Sequence, residues 1–290
     1  MRRRIFLAVV GAPLALIAIG AGVAFAVPRT RHLIAARWNV PDRMPALSDN
    51  SQVHYEPGAE DFARDVAALL PDAIARVEAV HGRPYAHPVI VGVYATPEAY
   101  EAANGVGSMG PVGVTIFGRV NLSPKLFGPQ HLRLRAILTH ELSHAHLQGW
   151  IGDYDTLRLP NWFKEGLAVM VSSGGGAELV SEDDARAAMQ RGETIVINDA
   201  GGLSKWVDVP LEKEPENRPP WYPIVLAYRE AGMFVNYLRD SDRAAFDRMM
   251  NAILDDRPFA EAMTVGYHDD VRSLWQKFLK SREPSPAGGG

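Results

Sequence analysis

Thr139-His140-Glu141-Leu142-Ser143-His144 stands inside a run of apolar residues that includes Leu132, Leu134, Ile137, Leu138, Leu142 and Leu147. On a helix, residues four apart lie on one face, one turn apart, so the two imidazoles converge on a single point. Glu141 is displaced from that point by one position, which lets it reach a water held there without becoming a ligand. Two imidazoles and a carboxylate in apolar surroundings are costly unless something binds them. The pattern alone arises by chance in about one or two chains per hundred of this composition. A second signal is therefore needed.

Glu165 supplies it. It lies in Pro160-Asn161-Trp162-Phe163-Lys164-Glu165-Gly166-Leu167-Ala168, where Pro160 or Asn161 starts a second helix reaching about residue 171. A catalytic zinc takes three protein ligands and keeps one position open. Glu165 completes a set with His140 and His144, and Gly166 allows the two helices to pack closely around the ion. The competing reading is a solvated first-turn glutamate favoured by the helix dipole. There is no cysteine, which excludes disulfides, thiolate metal sites and cysteine nucleophiles together. A metal site must then be built from His, Asp and Glu, a set that suits Zn2+. His146, two residues past His144, points to another helix face and is read as partly exposed or lying behind the ligands.

Outward from these helices, the chain divides by composition. Its 290 residues, 47% hydrophobic and 22% charged, suffice for a buried core. A net charge of -4 gives no basis for a nucleic-acid partner. Arg2, Arg3 and Arg4 precede an uncharged stretch over residues 5–27. Its length fits a membrane-crossing helix of ~20 residues, and the Ala24-Phe25-Ala26 triplet also fits a cleavable signal peptide. Either reading places the remainder outside the cytoplasm, on the cell membrane or secreted. Residues 28–57, with Pro28, Pro41, Pro45 and Pro57, read as a linker; residues 58–282 as the catalytic domain; residues 283–290 as a disordered tail.

Within the domain, apolar spacing predicts a helix over residues 59–80, kinked or divided by Pro71. Residues 87–95 read as a buried strand, and residues 114–122 as one bent strand or a hairpin at Gly118. Residues 181–190 read as a helix capped by Ser181, and the Gly174-Gly175-Gly176 triplet as the end of the helix before it. Further helices are expected over residues 222–238, 244–255, 258–263 and 270–280. Strands confined to residues 87–122 and a helical C-terminal half make the fold class α+β.

His140-Glu141-Leu142-Ser143-His144, twenty residues, and then Glu165 within Trp162-Phe163-Lys164-Glu165-Gly166-Leu167-Ala168 resemble the gluzincin metallopeptidases. The likeness is to the peptidase MA-like branch related to the M1 aminopeptidases, and it covers roughly residues 85–280. It implies a zincin-like domain: a small mixed sheet, the active-site helix and a mostly helical lower half. It also implies a tyrosine about sixty residues past the glutamate ligand that stabilises the oxyanion; Tyr228 matches that position, with Tyr222 as the alternative. The metzincin pattern does not fit, because its glycine and third histidine fall on Leu147 and Trp150. Two departures stand out. The aminopeptidases' Gly-x-Met-Glu-Asn segment is answered by Gly107-Ser108-Met109-Gly110-Pro111, without the glutamate that holds a free amino group. The aspartate that thermolysin-like relatives place four residues after the glutamate ligand is Val169.

The sequence therefore points to a zinc-dependent endopeptidase acting on a peptide or protein substrate and tethered to a membrane through its N-terminal helix. Zinc activates a water, Glu141 takes its proton, and Tyr228 steadies the tetrahedral intermediate. The alternative is a gluzincin scaffold that has lost catalysis and serves as an envelope binding or structural protein.

Overall fold

Phe117 and Gly118 both adopt positive φ, 52° and 69°, the geometry of a two-residue type I′ turn whose twist matches that of paired strands. Residues 114–122 are thus a hairpin and not one bent strand. The computed structural model describes residues 27–108, 110–202 and 209–282. The hairpin strands are β3 (Gly113–Ile116) and β4 (Arg119–Leu122), preceded by β1 (Val53–Tyr55) and β2 (Ile90–Val93). The sheet is mixed, in the order β1-β2-β4-β3: β2 lies parallel to both β1 and β4, and β3 is antiparallel to β4.

Side chains alternate across this sheet as the pleat requires. Val53, Val91, Val93, Val120 and Leu122 enter the main core. On the opposite face Gly92 accommodates Pro41 and Met44, and Tyr94 donates to Asn121.

Two corrections concern the N-terminal half. Residues 28–57 are not a linker: they contain α1 (Pro28–Trp38), a 3-10 turn (Pro41–Arg43) and strand β1. Pro28 and Pro41 occupy the first turn of their helices, where no N–H is needed, so they start structure and do not break it. Pro71 does not divide its helix into two elements; α2 runs unbroken over Glu60–His81. Pro71 is exposed, so water can satisfy the carbonyl that its missing N–H frees. The short helix α3 (Pro97–Ala103) begins at the Thr96 cap.

After a 3-10 turn, α4 (Leu134–Ile151) carries the first motif, with the short α5 (Asp153–Thr156) next and α6 (Asn161–Val171) carrying the second. Helices α7 (Glu182–Gln190), α8 (Tyr222–Ser241), α9 (Arg243–Leu254), α10 (Phe259–Tyr267) and α11 (Val271–Ser281) complete the helical half. Ser181 caps α7 by accepting from Asp184 N at 3.0 Å. The α+β class, the small mixed sheet and the mostly helical C-terminal half stand as the sequence indicates.

Helices α6 and α8 approach until backbones touch. A Cβ on Gly166 would lie 2.5 Å from the Ala231 oxygen, and one on Gly232 only 2.4 Å from Val169 Cγ1. The close approach that Gly166 permits is therefore to α8, not to α4 as its place beside Glu165 suggests. Trp162 on α6 meets Phe234 on α8 with ring centroids 5.2 Å apart, and Trp162 and Phe163 meet Phe259 on α10 at 5.7 and 4.9 Å. That packing fixes the face of α6 that carries Glu165. Among the described residues no helix is long and apolar enough to cross a membrane. The expected anchor or signal segment falls outside them apart from Val27, as does the tail over residues 283–290.

Candidate metal centre

Three ligand atoms from two helices meet at one point. His140 Nε2 lies 3.2 Å from His144 Nε2 and 3.3 Å from Glu165 Oε2, and His144 Nε2 lies 3.6 Å from the same oxygen. Zinc bonds of 2.0–2.1 Å in tetrahedral geometry put ligand atoms about 3.3–3.4 Å apart. The triangle thus has the size of one face of a zinc tetrahedron, with the fourth corner left for a non-protein group. His140 is buried, and His144 and Glu165 are partly so. This triad is consistent with a zincin-like site and can hold a metal ion.

Electrostatics agree with the donor chemistry. Burial alone would raise the Glu165 carboxyl, but the His144 and His140 imidazoles beside it hold it well below the ordinary carboxylate range. Glu165 is therefore an anion, the form that ligates.

His140 is oriented by a group that the sequence did not single out. Its Nδ1–H donates to the Gly175 carbonyl oxygen at 2.8 Å, and a carbonyl can only accept. The Nε2 lone pair is left for the ion. Gly175 is itself fixed: its N–H donates to Ser172 Oγ at 2.9 Å, and a Cβ there would lie 2.5 Å from the Ala136 oxygen on α4. α6 ends at Val171 with Ser172 as its C-cap, before the Gly174-Gly175-Gly176 triplet, and Gly175 performs the orienting task for which Val169 is unsuited. Val169 is buried against Gly232.

Glu141 lies against strand β3. Thr115 Oγ1 is 2.8 Å from both its main-chain oxygen and its Oε2, and Gly113 faces its Cγ and Oε1. The Tyr228 ring stacks on His140, 11° from parallel with centroids 6.4 Å apart. Tyr222 is turned elsewhere, towards Trp221, Arg218 and Arg191. The structure thus brings His140, His144, Glu165 and Tyr228 together, with Glu141 beside them, and leaves Tyr222 apart.

His146 is not partly exposed, as its helical position suggested; it is fully buried. Its Nε2 is 2.9 Å from the Arg83 carbonyl oxygen, its Nδ1 is 2.9 Å from His81 Nδ1, and His81 Nε2 is 3.1 Å from Ser143 Oγ. Because the Arg83 carbonyl only accepts, the protons must run from Ser143 to His81 to His146 to Arg83. All three side chains are then neutral and satisfied, and α2 is pinned to the back of α4. Only His146 drew attention in the sequence, because His81 stands 65 residues away.

No family model matches the chain, and no curated protein matches it either. The functional reading rests on this geometry.

Proposed function

We propose that the chain is a zinc-dependent hydrolase, an endopeptidase that cleaves peptide bonds in a peptide or protein substrate. The observation that carries this is the His140–His144–Glu165 triangle, with edges of 3.2–3.6 Å, beside the carboxylate of Glu141. The donor set of two imidazoles and one carboxylate favours zinc. Zinc held there supplies a Lewis acid that polarises a carbonyl and makes water acidic near neutral pH. Glu141 accepts the proton of the attacking water and returns it to the leaving amine. Tyr228 donates its hydroxyl to the oxygen that gains charge.

Among the described residues strand β3 pairs within the sheet only with β4, so its outer edge offers main-chain groups to an extended peptide. An extended substrate suits cleavage within a chain. The uncharged residues 5–27 support a domain held at the outer face of a cell membrane or secreted.

The second reading, a scaffold without catalysis, draws on the valine at position 169. The Gly175 carbonyl already orients His140, which removes most of that motive. Glu141→Gln separates the two readings. The variant is expected to keep its zinc and lose at least about a hundredfold in hydrolysis of a peptide library. Zinc in the wild type with no cleavage in either form favours the scaffold.

A further inference from the structure

We propose that Gly113 and Thr115 of strand β3 are positioning residues for the general base, holding the Glu141 carboxylate in one orientation. This deepens the reading above and rests on Glu141 acting as the base.

The two residues stand at i and i+2 on β3 and so share one face of the strand, and both meet Glu141 on α4. Gly113 provides room. A Cβ there would lie 2.8 Å from Glu141 Cγ, 3.1 Å from its Oε1 and 2.6 Å from Ile137 Cγ2, so any other residue displaces the glutamate stem. Thr115 provides direction. Its hydroxyl has one proton and two acceptors at 2.8 Å, the main-chain oxygen and Oε2 of Glu141. With Glu141 ionised, the bond to the carboxylate is the stronger of the two.

Among the described residues Oε2 is thus engaged, and Oε1 makes no hydrogen bond to protein. One oxygen is tied and the other is left to take a proton. A glutamate side chain otherwise has several rotamers to lose in reaching its reactive pose, and general-base catalysis depends on that pose. The same strand is the edge of the sheet among the described residues. Substrate alignment and base alignment would then share one rigid element.

A purely structural Thr115, merely supporting the helix carbonyl, would have no effect on a ligand that meets Glu141. Acetohydroxamate is such a probe, because hydroxamates chelate zinc and present a proton to a neighbouring base. Its dissociation constant is measured by calorimetry on the zinc-loaded full chain, together with zinc content and Tm, for wild type, Thr115→Val, Thr115→Ser, Gly113→Ala and Glu141→Gln. Thr115→Val and Gly113→Ala are expected to keep one zinc and bind roughly tenfold more weakly. Thr115→Ser restores the hydroxyl and is expected to bind within about threefold of wild type. Should Thr115→Val not fold, Gly113→Ala and Thr115→Ser carry the comparison. Wild-type affinity in Thr115→Val or Gly113→Ala, with Glu141→Gln weakened, overturns the positioning role alone. Wild-type affinity in Glu141→Gln overturns the role of the base and this inference with it.

Discussion

His140 donates its Nδ1–H to the Gly175 carbonyl oxygen at 2.8 Å, and this bond points its other nitrogen at His144 and Glu165. The Gly175 carbonyl orients this histidine as a carboxylate or carbonyl commonly does beside a metal, and such orienting partners are worth roughly ten- to a hundredfold in metal affinity. Gly175→Ala puts a methyl 2.5 Å from the Ala136 oxygen and must shift that carbonyl. Zinc affinity, measured against a competing chelator, is expected to fall by about tenfold or more with the far-ultraviolet circular dichroism unchanged. Unaltered affinity would show that His140 needs no such support.

Glu230 on α8 makes a pH-dependent contribution. It is fully buried; its Oε2 accepts from Ile195 N at 2.9 Å, and among the described residues its Oε1 has no partner. Burial pushes its carboxyl up to about 8, with the Ile195 N–H opposing and Glu193 reinforcing the shift. An unfolded glutamate titrates near ~4.3. Between about pH 4.3 and 8 the unfolded chain therefore holds fewer protons than the folded one, and this group's contribution falls as pH rises through that window. Glu230→Gln cannot titrate. Its stability relative to wild type should improve from pH 4.5 to 8, by on the order of 3 kcal/mol in urea unfolding. A difference that does not vary with pH would mean that Glu230 titrates normally.

His81 acts in the opposite direction. Burial, with His146 and His144 facing it, holds its imidazole well below the ordinary range. It is neutral in the fold but takes a proton near ~6.5 when unfolded. Stability from this group is complete above that pH and is lost as pH falls below it, at roughly 1.4 kcal/mol per pH unit. His81→Asn should lower stability at pH 7, because it breaks the chain from Ser143 to Arg83, yet show a shallower loss between pH 6.5 and 5. Parallel pH curves for the two proteins would contradict this.

What the sequence disclosed divides by distance along the chain. The His140–His144 pair was legible because helical spacing alone places four-apart residues together. Glu165 was legible through its helix start, though not the partner of Gly166, since nothing local says which helix that glycine faces. The contacts of β3 with Glu141, and of His81 with His146, join residues 26 and 65 positions apart and leave no periodic trace. Residues 28–57 were misread because proline was taken as a breaker, where Pro28 and Pro41 start a helix and a turn. Gly175 was seen only as a helix stop. Its carbonyl could become the partner of His140 only once α4 and α6 were packed.

Zinc content of the purified full chain, prepared side by side in wild type and Glu165→Ala, tests the three-ligand site most directly. One equivalent of zinc in the wild type and a small fraction of that in the variant is the expected result, since His140 and His144 alone hold the ion weakly. Equal zinc in the two proteins, or none in the wild type, would contradict it.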